Sequence, residues 1–568
     1  MPALCLLLLL SLASNAFSAS PIFPLKDVRA GQHGIGKTVF TGDRIEEFQV
    51  EILGVLENMG PRQSIILARL SGWPLEKTGV IQGMSGSPVY IEGKLLGAVA
   101  LAFSFSKDPI AGIRPIEDML AVGDGVVREQ RAGVAHGGGE LHEIATPLAF
   151  NGFSPATIEH FADGIRKLGM EPRQGVSGGG RVPRKLGDPS HLHPGDMISV
   201  QLLSGDMNVA ADGTVTEIDG NKLYAFGHRF LAVGGTELPF ARADVITTLA
   251  NVSSSFKISS AREWMGVITD DRSATVYGEI GKRAVTIPVT IALRGAGRTN
   301  LTYQMEMVND RFLSPFLMQM AVFSAIDATE RGPGVASFAL QGEIEFESGM
   351  APLKIDNTYS GDFGVSAQAA LGIASPLSYL MGSGFDALKI RAIRLSIAAS
   401  EKKQALQVDQ IAVTKREVHP GDLVELAVTL AGENGVELTR MVSYRVPVGA
   451  PVGVLQFTVS DAMSANLTEF QQTIGVTPKS AAQAVSFLQG LRSNNAAYLR
   501  VWRTDTSFQV QGSDLPDPPP SVALLLAKSP ATSQGTWLGR GSTVGHVRID
   551  TGNAVVSGSK TVQVEVKE

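Results

Sequence analysis

Residues 78–100 read TGVIQGMSGSPVYIEGKLLGAVA. A single serine, Ser85, sits among glycines directly ahead of Ser87, Pro88 and an apolar run. A turn of this kind is either a plain glycine-rich bend feeding a hairpin or the seat of a nucleophile. Nucleophilic use requires a tight turn, backbone N–H groups aimed at a developing oxyanion, and a base within hydrogen-bond reach. Gly83 can take a conformation closed to other residues, which turns its N–H the same way as that of Ser85. Gly86 leaves room for a substrate. The hexapeptide GMSGSP taken alone leaves both readings open.

The residues after the serine separate two catalytic architectures. The G-x-S-x-G elbow of α/β-hydrolases lies between a strand and a helix. Here the fifth position is Ser87, and Pro88–Ile91 begins a strand. The run His136-Gly137-Gly138-Gly139 has the look of a lipase oxyanion loop. It comes after the serine, where that fold would place it earlier, and it reads as linker. The alternative is the chymotrypsin-like double barrel, whose G-D-S-G-G-P turn leads into a strand, a turn and a second strand. Val89–Ile91, then Glu92-Gly93-Lys94, then Leu95–Ala100 repeat that layout. Met84 occupies the place of the Asp, so the ion pair that such an Asp forms with a freed N-terminal amine is not expected.

The chain has 568 residues, too many for one core. Its net charge is −6 and it has no long Lys/Arg run, which points away from nucleic acid. Residues 1–19, MPALCLLLLLSLASNAFSA, have the form of an export signal, with Leu6–Leu10 as a short apolar core. A membrane anchor is the alternative, although the apolar run is short for a span. An exported, periplasmic or extracellular bacterial protein, with no stable membrane span after signal removal, is the expectation. The one cysteine, Cys5, lies inside the signal. A processed chain would have no disulfide, zinc–thiolate site or cysteine nucleophile, and no metal or other cofactor motif is found.

The pattern predicts a mainly β protein. Residues 20–125 are read as a serine-bearing β-barrel half, and 126–212 as a linker with a short helix at Pro155–Leu168 and loops. A second β-barrel half is placed at 213–300, mixed α/β at 301–405, and a β-sandwich of immunoglobulin type with appended helices at 406–515. A tail is placed at 516–568. In the sandwich segment Val424, Leu426, Val428 and Leu430 alternate with the residues between them.

The block Thr78–Leu120 resembles the nucleophile region of the stage IV sporulation protein B peptidases, serine peptidases of the chymotrypsin-like clan. The likeness runs through TG-x-IQGMSGSP, the apolar hairpin, and a D-P-x-x-G loop filled by Asp108, Pro109 and Gly112. It implies that Ser85 is the nucleophile. Of the nine histidines, His228 ends a hairpin in GTVTEIDGNKLYAFGHRF, where an imidazole can project from a barrel rim. That stretch is similar to the family's histidine segment, and residues 253–281 resemble the family's sequence downstream of it. His33, which precedes the serine, is a rival. His191 and His193 in SHLHPGD are read as a solvated loop rather than a metal pair.

Three departures accompany the resemblance. The serine block precedes the histidine block, the reverse of the family order. Ser71 stands near the place of the family's Asp, and Met84 stands beside the serine. Asp270 and Asp271 are possible substitutes for the acid, although an ion pair with Arg272 or a turn role suits either better. The resulting expectation is a serine endopeptidase acting on protein or peptide substrates. Ser85 is the nucleophile, His228 the general base, and the N–H groups of Gly83 and Ser85 the oxyanion hole. The alternative is a weak or inactive peptidase-like scaffold that binds an envelope or secreted protein.

Overall fold

The computed structural model describes residues 20–60, 63–103, 106–123, 141–175, 185–295, 300–328, 336–473, 478–510, 513–516, 518–528 and 536–568. The signal-like segment with Cys5 and the Gly-rich stretch around His136 lie outside them. The chain divides into two units, Met1–Thr286 with Met305–Asp310, and Ile287–Gln304 with Arg311–Glu568.

The first unit is built on two rings of strands. The first ring comprises β1 (His33–Val39), β2 (Ile45–Gly60), β3 (Gln63–Ser71), β4 (Pro88–Ile91), β5 (Lys94–Phe103) and β6 (Ile110–Pro115). They pair in the order β4-β1-β2-β3-β6-β5, and β4 also pairs with β5, which closes the barrel. Val50 and Ile52 on β2, Ala68 and Leu70 on β3, and Ala111 and Ile113 on β6 fill the inside, at the two-residue period of a strand. Glu92 and Gly93 both have positive φ, 51° and 73°. Two such residues make the turn whose twist matches an antiparallel pair. Ile91 faces Lys94 across it, so Lys94 starts β5 rather than completing the turn.

The described part of segment 126–212, expected to be linker, holds β7 (Leu141–Glu143), β8 (Thr146–Asn151), helix α1 (Pro155–Lys167), β9 (Met170–Gln174) and β10 (Met197–Gly205). Helix α1 begins where Ser154 accepts the N–H of Thr157 and Pro155 takes the first helical position. It buries Phe161, Ala162 and Ile165, and it connects β8 to its parallel partner β9.

The second ring takes β10 together with β11 (Asn208–Asp219), β12 (Lys222–Ala225), β13 (Gly234–Leu249), β14 (Phe256–Arg272) and β15 (Thr275–Ile280). Its order is β10-β13-β14-β15-β12-β11, and β10 pairs with β11 as well, so pairing runs all the way round. The β11–β12 hairpin pairs Asp219 with Lys222, which makes Gly220-Asn221 the loop. Every residue of β11 from Asn208 to Ile218 is buried. A strand of a barrel with one solvated face would alternate. Here the outer face of β11 lies against the first barrel, where Thr214 and Thr216 bond the Ser85 turn. The double barrel expected of the chymotrypsin-like layout is present, in a mainly β chain.

The second unit has two parts. In one, β16 (Thr286–Arg294), β17 (Ala336–Phe346), β18 (Leu353–Gly361) and β19 (Ile390–Ser400) share a sheet in the order β18-β17-β19-β16. Helices α2 (Leu313–Asp327) and α3 (Val365–Gly382) pack on each other. Helix α2 is apolar all round and buries Leu317, Met318, Met320 and Val322, as a helix in a core does. The other part is a sandwich of a four-stranded and a six-stranded sheet, with Val424, Leu426, Val428 and Leu430 in its core. Strands at Thr536–Asp550, Val555–Ser557 and Ser559–Val566, in the stretch expected to be a tail, pair into those two sheets. Among the described residues no helix is long and apolar enough to cross a membrane.

Candidate active site

Ser85 lies in the connection between β3 and β4. The turn is closed by Met84 N–H donating to the Ile81 carbonyl and Ser87 N–H donating to the Met84 carbonyl, 3.1 and 3.0 Å. The Met84 side chain is fully buried and its sulfur accepts the N–H of Ile81, so the residue that replaces Asp acts as an apolar plug. Gly83 and Gly86 have φ of 93° and 95°. Among the described residues, the N–H groups of Gly83 and Ser85 donate to no protein acceptor, whereas those of Met84, Gly86 and Ser87 do. Two unpaired N–H groups thus flank Met84, a pattern of free donors that could receive an oxyanion.

The second barrel forms the seat of this turn. Thr214 N–H donates to the Ser85 carbonyl (2.9 Å). The Thr214 and Thr216 hydroxyls donate to the carbonyls of Gly83 and Gly86, 2.9 and 2.7 Å. A Cβ on Gly86 would lie 2.0 Å from the Thr214 carbonyl oxygen and 2.5 Å from the Phe226 nitrogen, so only glycine fits. Phe226 and Gly227 both have φ of 68°. For a bulky residue that region is strained, and such strain gathers at sites where a side chain must be aimed. His228 follows directly. A Cβ on Gly227 would touch Ala98 and Ala100 of β5, so this segment too runs against the first barrel.

Ser85 Oγ and His228 Nε2 are both buried and neither has a hydrogen-bond partner. They are therefore not bonded to each other in this state. Catalytic hydrogen bonds often tighten only when substrate binds. The imidazole is held from its other side, where Nδ1 lies 2.6 Å from the Arg229 carbonyl oxygen. With the N–H on Nδ1 donating to that carbonyl, Nε2 is the acceptor nitrogen. Burial pushes the His228 pKa down, Glu143 and the Arg229 carbonyl oppose this, and Arg114 and Arg229 add to it. The neutral imidazole is favoured.

Neither candidate acid reaches the imidazole by a hydrogen bond. Asp270 pairs with Arg272 at 3.0 Å. Asp271 is almost wholly buried and accepts the N–H groups of Phe230 and Leu231, 2.7 and 2.6 Å, and more weakly that of Val233. It shapes the loop after His228. Ser71 is exposed at the end of β3, and His33 is exposed at the start of β1. His191 and His193 face separate carboxylates, Glu263 and Asp196.

Two residues near the turn give no signal in the sequence. Arg114, buried on β6, donates to the carbonyl of Gly227 (3.3 Å) and to Gln63 Oε1 (3.2 Å). Lys257, buried on β14, accompanies the turn: its N–H donates to the Gln82 carbonyl, and its Cδ lies 3.4 Å from where a Gly83 Cβ would be. Its ammonium donates to Thr38 Oγ1 at 2.8 Å. Burial brings its pKa to about 7, against the opposing pull of Asp212. Asp212 is itself pushed up by burial and accepts the Ser259 hydroxyl.

Beside the turn is a pocket of about 240 Å³. Thr78, Gly79, Val80 and Gln82 form one wall, Ala102 and Phe103 of β5 another, and residues 251–255 a third. Among the described residues no cluster of three or more His, Cys, Asp or Glu is placed to hold a metal ion.

Comparison with known proteins matches residues 12–120 to the family described as SpoIVB peptidase S55. That stretch contains the whole Ser85 turn and stops short of the His228 hairpin. The match supports a serine peptidase as the class of enzyme. Neither the curated proteins nor the solved structures contain a match to the chain.

Proposed function

With residues 12–120 read as SpoIVB peptidase sequence, we propose that the chain is a serine endopeptidase in which Ser85 attacks the scissile carbonyl. His228 Nε2 takes the hydroxyl proton and later delivers it to the leaving amine. The tetrahedral oxyanion sits between the N–H groups of Gly83 and Ser85. One observation supports this above the others: Ser85 Oγ and His228 Nε2, on facing elements of the two barrels, are both buried polar atoms without partners. Buried polar atoms are otherwise nearly always paired.

The test is labelling by a fluorophosphonate together with peptide turnover. Ser85→Ala is expected to abolish labelling and to lower turnover by about 10³-fold or more. His228→Gln is expected to slow both. Equal labelling of wild type and Ser85→Ala overturns the proposal. The pH dependence comes from the direction of the His228 shift. Its pKa is below 6.5 in the folded chain, so the base stays neutral at pH 6.5 and the acid limb of kcat/KM falls below that value. The unfolded chain binds this proton first, so the histidine makes folding less favourable as pH drops through the same window. Action outside the cytoplasm is part of the proposal, motivated by residues 1–19. N-terminal sequencing of the exported protein checks it, and an uncleaved chain retained inside the cell overturns it.

The second reading is a binding scaffold. The burial of both reactive atoms favours it, since a substrate carbonyl has to reach Ser85. A folded wild-type protein that takes no label, yet retains a partner chain, decides for this reading.

A further inference from the structure

We propose that Lys257 is a positioning residue of the Ser85 turn: its main chain aims the Gly83 N–H, and its ammonium ties the strand that does so to Thr38 of the first barrel, with Asp212 as the opposing charge. The inference rests on the peptidase reading of Ser85 and adds to it the residue that holds one of the two oxyanion donors.

Peptide geometry carries the first half. The carbonyl and the N–H of one trans peptide point in opposite directions. Ser85 N–H shares its peptide with the Met84 carbonyl, which accepts the Ser87 N–H and hydroxyl at 3.0 and 2.6 Å. The turn therefore aims that donor by itself. Gly83 N–H shares its peptide with the Gln82 carbonyl, which accepts the Lys257 N–H at 3.1 Å. Gln82 N–H donates in turn to the Ser255 carbonyl at 2.8 Å. The direction of the Gly83 donor is thus set by β14, a strand of the other barrel, and it points away from that strand.

The side chain carries the second half. The Lys257 stem packs against Gly83, with its Cβ and Cδ 3.5 and 3.4 Å from where a Gly83 Cβ would stand. Its ammonium ends on Thr38 Oγ1 of β1, 2.8 Å away, and both residues are buried. An apolar chain of the same length would fill the space without the tie. Asp212 is the charge that acts on the ammonium. It lies on β11 two residues before Thr214, whose N–H and hydroxyl hold the carbonyls of Ser85 and Gly83. Ser199 of β10 and Ser259 of β14 bond its carboxylate, and these two and Thr38 are uncharged hydroxyls. Two opposite buried charges therefore join the strand that holds residue 82 to the strand that holds residue 85.

The charge on Lys257 then governs the tie. Burial brings its pKa to about 7, against the pull of Asp212. Below that pH the ammonium is present. As pH rises through it the charge is lost, and Asp212 loses its opposing partner. Turnover should therefore have an alkaline limb near pH 7, beside the acid limb that His228 supplies below 6.5.

The experiment uses the full chain. Lys257→Met alone would leave Asp212 unopposed, so the variant tested carries Asp212→Asn as well, and Asp212→Asn alone is the control. The readouts are kcat and KM for a peptide on either side of pH 7, and hydrogen exchange of residues 80–87 by mass spectrometry. Wild-type kcat is expected to fall as pH rises through about 7. Asp212→Asn should move that limb to lower pH, because it removes the charge that raises the lysine's pKa. The double variant should lose the limb, with kcat at least about 10-fold lower and KM within about twofold. Deleting an oxyanion donor outright costs about 10²–10³-fold, and here the donor is misaimed rather than deleted. Residues 80–87 should exchange at least about tenfold faster in the double variant, while the sandwich of the second unit is unchanged. A merely structural lysine would change the melting temperature and leave the pH profile alone. Ser85-dependent turnover with no alkaline limb in wild type, or with the same limb in the double variant, overturns the inference and leaves the peptidase reading standing. Unchanged exchange at 80–87 overturns it whatever the turnover. Faster exchange confined to that segment, in a protein without Ser85-dependent turnover, supports Lys257 as the support of the turn and removes the peptidase reading.

Discussion

The two barrels hold Ser85 and His228 by different physical means. The first uses backbone geometry: glycines with positive φ on both sides of Ser85, and a buried methionine that plugs the turn from below. The second uses buried charge: Asp271 gathers the N–H groups of the loop after His228, and Arg114 reaches from the first barrel to hold the carbonyl before it. A turn defined by local geometry depends on shape, and a loop defined by a distant carboxylate depends on solvation. The two should therefore fail in different ways.

Gly86→Ala should have the largest effect. The new Cβ would overlap backbone atoms of the second barrel, which cannot yield as a flexible side chain would. A loss above about 4 kcal/mol is expected, read from the denaturant midpoint, with fluorophosphonate labelling lost as well. A small shift in midpoint would show that the seat of the turn is softer than its geometry. Lys257→Met comes next, at about 3 kcal/mol or more, because it leaves Asp212 buried without its counter-charge. Adding Asp212→Asn should recover part of that loss. The Lys257 pKa is depressed in the fold to about 7 from 10.5. Wild-type stability should therefore gain from this group as pH rises from about 7 towards 10.5, and Lys257→Met should remove that gain. Asp271→Ala should cost about 2–3 kcal/mol, since it orphans buried N–H groups. It should also lower kcat, read from peptide turnover. Asp270→Ala, one residue away, should cost less than about 1 kcal/mol, because its pair with Arg272 is partly exposed. Equal losses at 270 and 271 would break the contrast between the barrels.

The same contrast explains which features the sequence makes legible. GMSGSP and the hairpin after it are local patterns, and local sequence specifies their turns, so the serine barrel can be read directly. His228 can be found because a hairpin ends there. Its orienting partner cannot, because the partner is a main-chain carbonyl that any residue at 229 would provide. Lys257 looks like an ordinary strand residue, and only the closure of the second ring places it under Gly83. β10 falls within the segment read as linker, although ISVQLL itself reads as a strand; with both of its faces buried it shows no alternation to tie it to a barrel. The terminal strands look like a tail because their sandwich partners lie far off in sequence, with Val564 opposite Leu455.

Thr214 and Thr216 reach the serine turn across 131 and 130 residues of chain. A ribosome makes the serine long before it makes those threonines. A nascent or truncated product that ends before Gly213 has the turn but neither its seat nor His228. In the peptidase proposed above, the order of the two blocks acts as a timer: the serine turn is synthesised first, and its seat and His228 follow only with the second ring.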